Sequence, residues 1–161
     1  MGRPDDIAIT ESWNDKNYEY KLTDFFFSVM ETIRITTYMP TYDNLKKAFS
    51  DVKGYSNTLL YSDHFLKKYK NDIKPVLDMV EIALFGQPGN EEVIKVWETL
   101  GITISKNRHG ETKVTNAQRI ISELSGVMFI LKQFTYEQGF FAKKPKERIY
   151  GKAGIEAVGE M

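Results

Sequence analysis

The chain has no cysteine. That excludes disulfides, zinc–thiolate sites and cysteine nucleophiles, and it makes a cytoplasmic setting the natural expectation. Histidine is almost as scarce. His64 and His109 have no ligand-like spacing with each other or with acidic residues, so no metal site is expected. Catalytic signatures are missing too. There is no GxSxG elbow, no GxGxxG following a strand, and Gly151-Lys152 lacks the upstream glycines of a phosphate-binding loop. No catalytic residue and no cofactor are therefore assigned, and a non-catalytic protein is expected. No apolar run approaches the ~20 residues needed to span a bilayer, so no membrane partner is expected. The N-terminal MGRPDDIAITESWNDK is polar and acidic, without an apolar signal core. An excess of one charge is absent as well, since 22 Lys and Arg balance 22 Asp and Glu.

What the chain does have is apolar and aromatic substance, enough to argue against global disorder and for a real core in one domain. Its charge is balanced overall but unevenly spread. Residues 1–42 carry −3 and residues 75–128 carry −2, whereas residues 43–74 carry +3 and residues 129–161 carry +2. A basic patch on a neutral protein binds phosphates weakly and with strong salt dependence.

The most informative stretch is PTYDNLKKAFSDVKGYSNTLLYSDHFLKKYKNDI, residues 40–73. Pro40 forces Met39 out of the helical region, and Thr41 can cap a helix through Leu45, Ala48 and Phe49. Gly54 offers a turn, and Ser56 is an N-cap for a second helix reaching at least Lys70. At about 100° per residue, Leu59, Ser62, Phe65, Leu66 and Tyr69 share one arc of that helix. The opposite arc holds Asn57, Leu60, Tyr61, His64, Lys67 and Lys68. That is the outline of a helix-turn-helix presenting polar side chains to bases and phosphates, with Leu60 against a thymine methyl. The competing reading is a helical hairpin with a solvated face.

Elsewhere, residues 1–17 read as a mobile arm. A helix follows from Thr23 through FFFSVMETIRITTYM, its end blurred by the β-branched run at Ile33, Ile35, Thr36 and Thr37. Pro75 suits a first helical turn, and Val76, Leu77, Val80, Ala83 and Leu84 follow at helical spacing. Residues 86–89 stop that helix, and Asn90 caps the next, striped by Val93, Val96, Trp97 and Leu100. GITISKNRHGETKVT alternates as a β-hairpin over residues 102–115, bent at Asn107 to Gly110. Lys106, Arg108 and His109 stand at that hairpin tip and could touch phosphate, although polar residues at a hairpin bend need no function. Thr115 and Gln118 suggest a capping box for a last helix. On it, Ile120, Leu124, Val127, Leu131 and Phe134 recur at alternating spacings of four and three, a stripe wide enough for a bundle core or a subunit interface. Lys143, Lys144, Lys146 and Arg148 lie in a glycine-containing basic tail, residues 139–161, expected to be flexible and able to meet a partner.

The expected fold is mainly α. A helix-turn-helix region (residues 18–74) precedes a helical core or oligomerisation region (residues 75–138) with one small β-hairpin. The order of elements over residues 40–115, with VEIALFGQPGNEEVIKVWETLG running as helix, small-residue break and helix ending in leucine-glycine, resembles the small terminase subunits of tailed bacteriophages. The resemblance implies a DNA-recognition subunit without ATPase activity. It would assemble as a homo-oligomeric ring on duplex packaging DNA and regulate a large motor subunit, engaged by the tail. The neutral charge and the lack of a long coiled-coil hairpin depart from that pattern. GYSNTLLYSDHF also resembles the recognition helix of TetR-type repressors. EEVIKVWETLGITISKNRHGETKVT is similar to the recognition helix and wing of winged-helix regulators, in which Lys95, Lys106 and Arg108 would face DNA. A helical adaptor or inhibitor binding another protein is the reading outside nucleic acids.

Overall fold

The computed structural model describes residues 15–60 and 63–137. The chain divides into two compact units, one of Met1–Phe27 with Lys132–Met161 and one of Ser28–Leu131. Mainly helical architecture with one two-stranded antiparallel hairpin is what the described residues form. In the first unit, Leu22, Phe26 and Phe134 are buried, and the Phe26 and Phe27 rings meet edge to face. The elements described below lie in the second unit, except for the start of α1 and the end of α6, which belong to the first.

Helix α1 (Asp15–Tyr38) begins before the expected Thr23 and absorbs the end of the expected arm. Its β-branched stretch is helical, and the threonine hydroxyls in it find their partners locally. The hydroxyls of Thr36 and Thr37 donate to the carbonyls of Thr32 and Ile33, each one turn back. Val29, Ile33 and Thr36 form the buried edge of α1 in this unit. Thr32 donates to Asp51 at 2.8 Å, tying α1 to the next helix.

Helix α2 (Tyr42–Asn57) starts as expected, with Thr41 accepting from the Asn44 backbone N–H at 3.1 Å. It does not stop at Gly54. The stripe Leu45, Ala48, Phe49, Val52, Tyr55, Ser56 is buried throughout, and that packing offsets the ~1 kcal/mol that a helical glycine costs. Ser56 is thus a core residue of α2 and not an N-cap. The chain leaves the helix at Thr58, whose hydroxyl donates to the Tyr55 carbonyl at 2.6 Å.

Helix α3 (Asp63–Lys68) passes through a π-helical turn (Tyr69–Ile73) into α4 (Lys74–Phe85). The wide turn lies immediately before Pro75, which has no N–H to give and whose ring would crowd the carbonyl four residues back. An i→i+5 bond from Lys74 N–H to the Tyr69 carbonyl closes it. Helix α4 buries Leu77, Val80, Ala83 and Leu84.

The corner after α4 is tight. A Cβ on Gly86 would lie 2.3 Å from Val93 Cγ2 and 2.7 Å from the Ile82 carbonyl oxygen, so only glycine permits this approach. Two side chains cap the carbonyls that the end of α4 leaves without helical partners. Trp97 Nε1 donates to Ala83 at 3.0 Å, and Tyr42 Oη donates to Leu84 at 2.5 Å. Helix α5 (Glu91–Leu100) is capped by Asn90, which accepts from Glu92 N–H at 2.8 Å, and ends at the left-handed Gly101.

Strands β1 (Thr103–Lys106) and β2 (Thr112–Thr115) pair antiparallel, Thr103 opposite Thr115 and Lys106 opposite Thr112. Thr115 bonds across the ribbon to the Thr103 hydroxyl at 3.0 Å instead of capping the last helix. Helix α6 (Ala117–Glu137) starts after Asn116, which adopts a positive φ and donates to the Gly101 carbonyl at 3.2 Å. Its stripe Ile120, Leu124, Val127, Leu131, Phe134 is buried within the chain, so the core role is the one it takes, and these five are not open to a second copy.

Candidate nucleic-acid interface

The arc expected on one helix of the hairpin is split by the structure. Asn57 is the exposed last residue of α2, and Leu60 is half-buried in the connection that follows. Tyr61 lies outside the described residues, as do Lys143, Lys144, Lys146 and Arg148. Only His64, Lys67 and Lys68 share α3, where all three are exposed. Lys68 is held by Asp72 at 2.8 Å, which leaves Lys67 as the one lysine of that pair with no ion-pair partner among the described residues. The reason for the split is burial. Tyr55 and Ser56 belong to the core stripe of α2, so the helix continues past the point where Gly54 alone would end it.

Helix α5 has the wrong charge to lie in a groove of DNA. Its exposed side chains are Glu91, Glu92, Ile94, Lys95, Glu98 and Thr99, three carboxylates against one lysine. Repulsion from phosphate therefore opposes the recognition-helix role that Lys95 suggested.

The ribbon is different. Lys106, Arg108, His109 and Lys113 are all exposed around its bend. The strand register sets Lys106 with Thr112 on one face and Lys113 with Ser105 on the other, while Arg108 and His109 occupy the tip. Lys106 and Arg108 have no ion pair among the described residues, and Lys113 approaches only Glu111, at 3.8 Å.

The tip is built, not slack. Asn107 Oδ1 accepts from the backbone N–H groups of His109 at 2.9 Å and Glu111 at 3.0 Å. Asn107 N–H donates to the Glu111 carbonyl at 2.9 Å, and Gly110 takes the left-handed φ of 82° that the bend needs. At its base, the Ile104, Lys106 and Thr112 row borders a cavity of about 270 Å³ shared with Tyr42 and Trp97. The two aromatic donors that cap α4 thus also flank the ribbon.

Sequence reading singled out Lys106 and Arg108 but passed over Lys113. Strict alternation from Lys106 through the bend was the signal that could have placed it on the opposite face. The Tyr42 and Trp97 clamps were missed as well, because a donor reaching a carbonyl 42 residues away leaves no local pattern. Among the described residues, no three His, Asp or Glu side chains converge as a metal ion would require, and no helix is long and apolar enough to cross a membrane. The chain matches no protein-family model, no curated protein and no solved structure.

Proposed function

We propose that this chain is a non-catalytic protein that binds duplex DNA, with the β1–β2 ribbon as its contact element. The observation that carries the reading is the placement of cations on both faces and at the tip of a ribbon whose bend is internally hydrogen-bonded. A two-stranded ribbon fits the major groove of B-form DNA. Inside it, Lys106 on one face and Lys113 on the other would meet phosphates of opposite strands, and Arg108 would reach inward toward guanine edges. The order α4, α5, ribbon supports a winged-helix type of arrangement used wing first, since α5 is acidic.

The finer form of the reading takes its content from the resemblance to small terminase subunits: viral packaging DNA as ligand and a motor subunit as partner. It requires many copies in a ring. Such a ring would need a seam other than the α6 stripe, which is consumed inside the chain.

Fluorescence anisotropy of a labelled duplex in about 50 mM salt tests the reading. Saturable binding is expected, weakened by Arg108→Ala and Lys106→Ala. Duplex RNA should compete poorly, because its major groove is too narrow for a ribbon. No binding by the intact chain would overturn the proposal.

A further inference from the structure

The start of α2, the α4–α5 corner, α5 and the ribbon meet around the cavity of about 270 Å³. Tyr42 and Trp97 give it aromatic surface, Pro88 and Ile104 add aliphatic carbon, and Lys106 and Thr112 bring polar atoms. Strand register explains why the ribbon residues arrive together. Lys106 stands opposite Thr112, and Ile104, two residues earlier, shares their face. Mostly apolar walls with a few placed polar groups are the composition of a small-molecule site.

The aromatic walls are fixed. Trp97 Nε1 and Tyr42 Oη are committed to the carbonyls of Ala83 and Leu84, so neither ring can swing inward without breaking its bond. The Lys46 ammonium, 4.4 Å from the centroid of the Tyr42 ring, holds that ring as well. The space is therefore kept open by bonds that serve the end of α4. A ligand entering it would meet walls already in place, which lowers the ordering cost of binding.

Charge and size define what such a ligand would be. Among the described residues that line the cavity there is one cation, Lys106, and no Asp or Glu. Lys106 is exposed and has no ion pair among the described residues, so its ammonium can receive an anion. An apolar cavity of about 150 Å³ holds benzene, so this one has room for one or two fused rings and a carboxylate. A flat ring would add edge or offset contacts with Tyr42 and Trp97 to the area it buries. We propose that the cavity binds a small planar aromatic carboxylate, its ring against Tyr42 and Trp97 and its carboxylate on Lys106, beside the Thr112 hydroxyl. The site stands whether or not the ribbon meets DNA, although both would draw on the same ammonium.

Indole-3-carboxylate, titrated into the isotope-labelled full chain and followed by two-dimensional NMR, tests it. The chain has two tryptophans, so the Trp97 indole N–H signal is identified by its loss in Trp97→Phe. Saturable shifts of that signal and of the Lys106 and Thr112 amides are expected. The Kd should be on the order of 0.1–1 mM, ordinary for a ligand of this size. Lys106→Met keeps the stem and loses the charge, and should weaken binding about fivefold. Neutral indole should bind wild type more weakly than the carboxylate does, and should bind Lys106→Met as it binds wild type. The amide spectrum of each variant shows directly that it folds, as expected for an exposed position. No saturable shift at about 10 mM overturns the proposal, whether water or a side chain of another protein fills the cavity instead. So do shifts confined to residues outside the cavity, wild-type affinity for the carboxylate in Lys106→Met, or equal affinity of wild type for indole and its carboxylate.

Discussion

Replacing Gly86 with alanine puts a methyl carbon 2.3 Å from Val93 Cγ2 and 2.7 Å from the Ile82 carbonyl oxygen. Carbon atoms in a packed core sit about 3.5–4.0 Å apart, so the corner must open by more than 1 Å. Neither neighbour can yield easily. Val93 is only 3% exposed, and the Ile82 carbonyl is held by the Gly86 N–H itself at 2.9 Å. Further, α4 and α5 are pinned together by the Trp97 bond to Ala83. Forced overpacking of this kind costs about 1–3 kcal/mol, and a backbone neighbour argues for the upper half of that range. The usual effect of glycine to alanine, with φ at −75° as here, is a stabilisation of about 0.4–1 kcal/mol through the unfolded chain. The two effects have opposite signs, which makes the experiment decisive. With a urea slope of about 2 kcal/mol/M, the unfolding midpoint should fall by about 1 M. Adding Val93→Ala removes the nearer clash, so Gly86→Ala should cost less in that background than in wild type. An unchanged or raised midpoint for Gly86→Ala would refute the close-packed corner.

Three further outcomes are expected. Trp97→Phe keeps an aromatic ring, though a smaller one, and leaves the Ala83 carbonyl without its donor, and should cost at least about 1–2 kcal/mol by chemical denaturation. Asn90→Ala should cost about 1 kcal/mol through loss of the α5 cap, whereas Asn90→Asp should be nearly neutral. For DNA, two phosphate contacts, from Lys106 and Lys113, imply a slope of about −1.8 in log affinity against log salt, or a loss of roughly 12-fold between 50 and 200 mM. Each of Lys106→Ala and Lys113→Ala should reduce that slope by about 0.9, Arg108→Ala should instead relax sequence preference, and Lys67→Ala should change neither. The reverse result would move the contact from the ribbon to α3.

Features that depend on short-range chemistry were legible. Thr41 and Asn90 cap the helices they were expected to cap, Pro75 opens α4, and the ribbon bends between Asn107 and Gly110. Gly54 misled because a glycine marks a turn only where packing does not override it, and Tyr55 and Ser56 are buried immediately after it. Thr115 misled because its hydroxyl had a better use, across the ribbon to Thr103. The α6 stripe was visible at once, but periodicity cannot tell a core from a seam, and burial decides for the core.

The π turn between α3 and α4 has a consequence for insertion and deletion. Phe65 and Ile73 are both fully buried, yet eight residues of regular helix would leave them about 80° apart. With one extra residue taken up by the wide turn, the offset falls to about 20°. The turn is therefore a one-residue insertion that changes chain length without rotating the faces on either side. Deleting the exposed Asn71 would keep Phe65 and the following core residues in phase, but would bring Pro75 against a regular helical carbonyl. Deletion of Asn71 combined with Pro75→Ala removes that crowding, so a chain one residue shorter would present the same inner and outer surfaces.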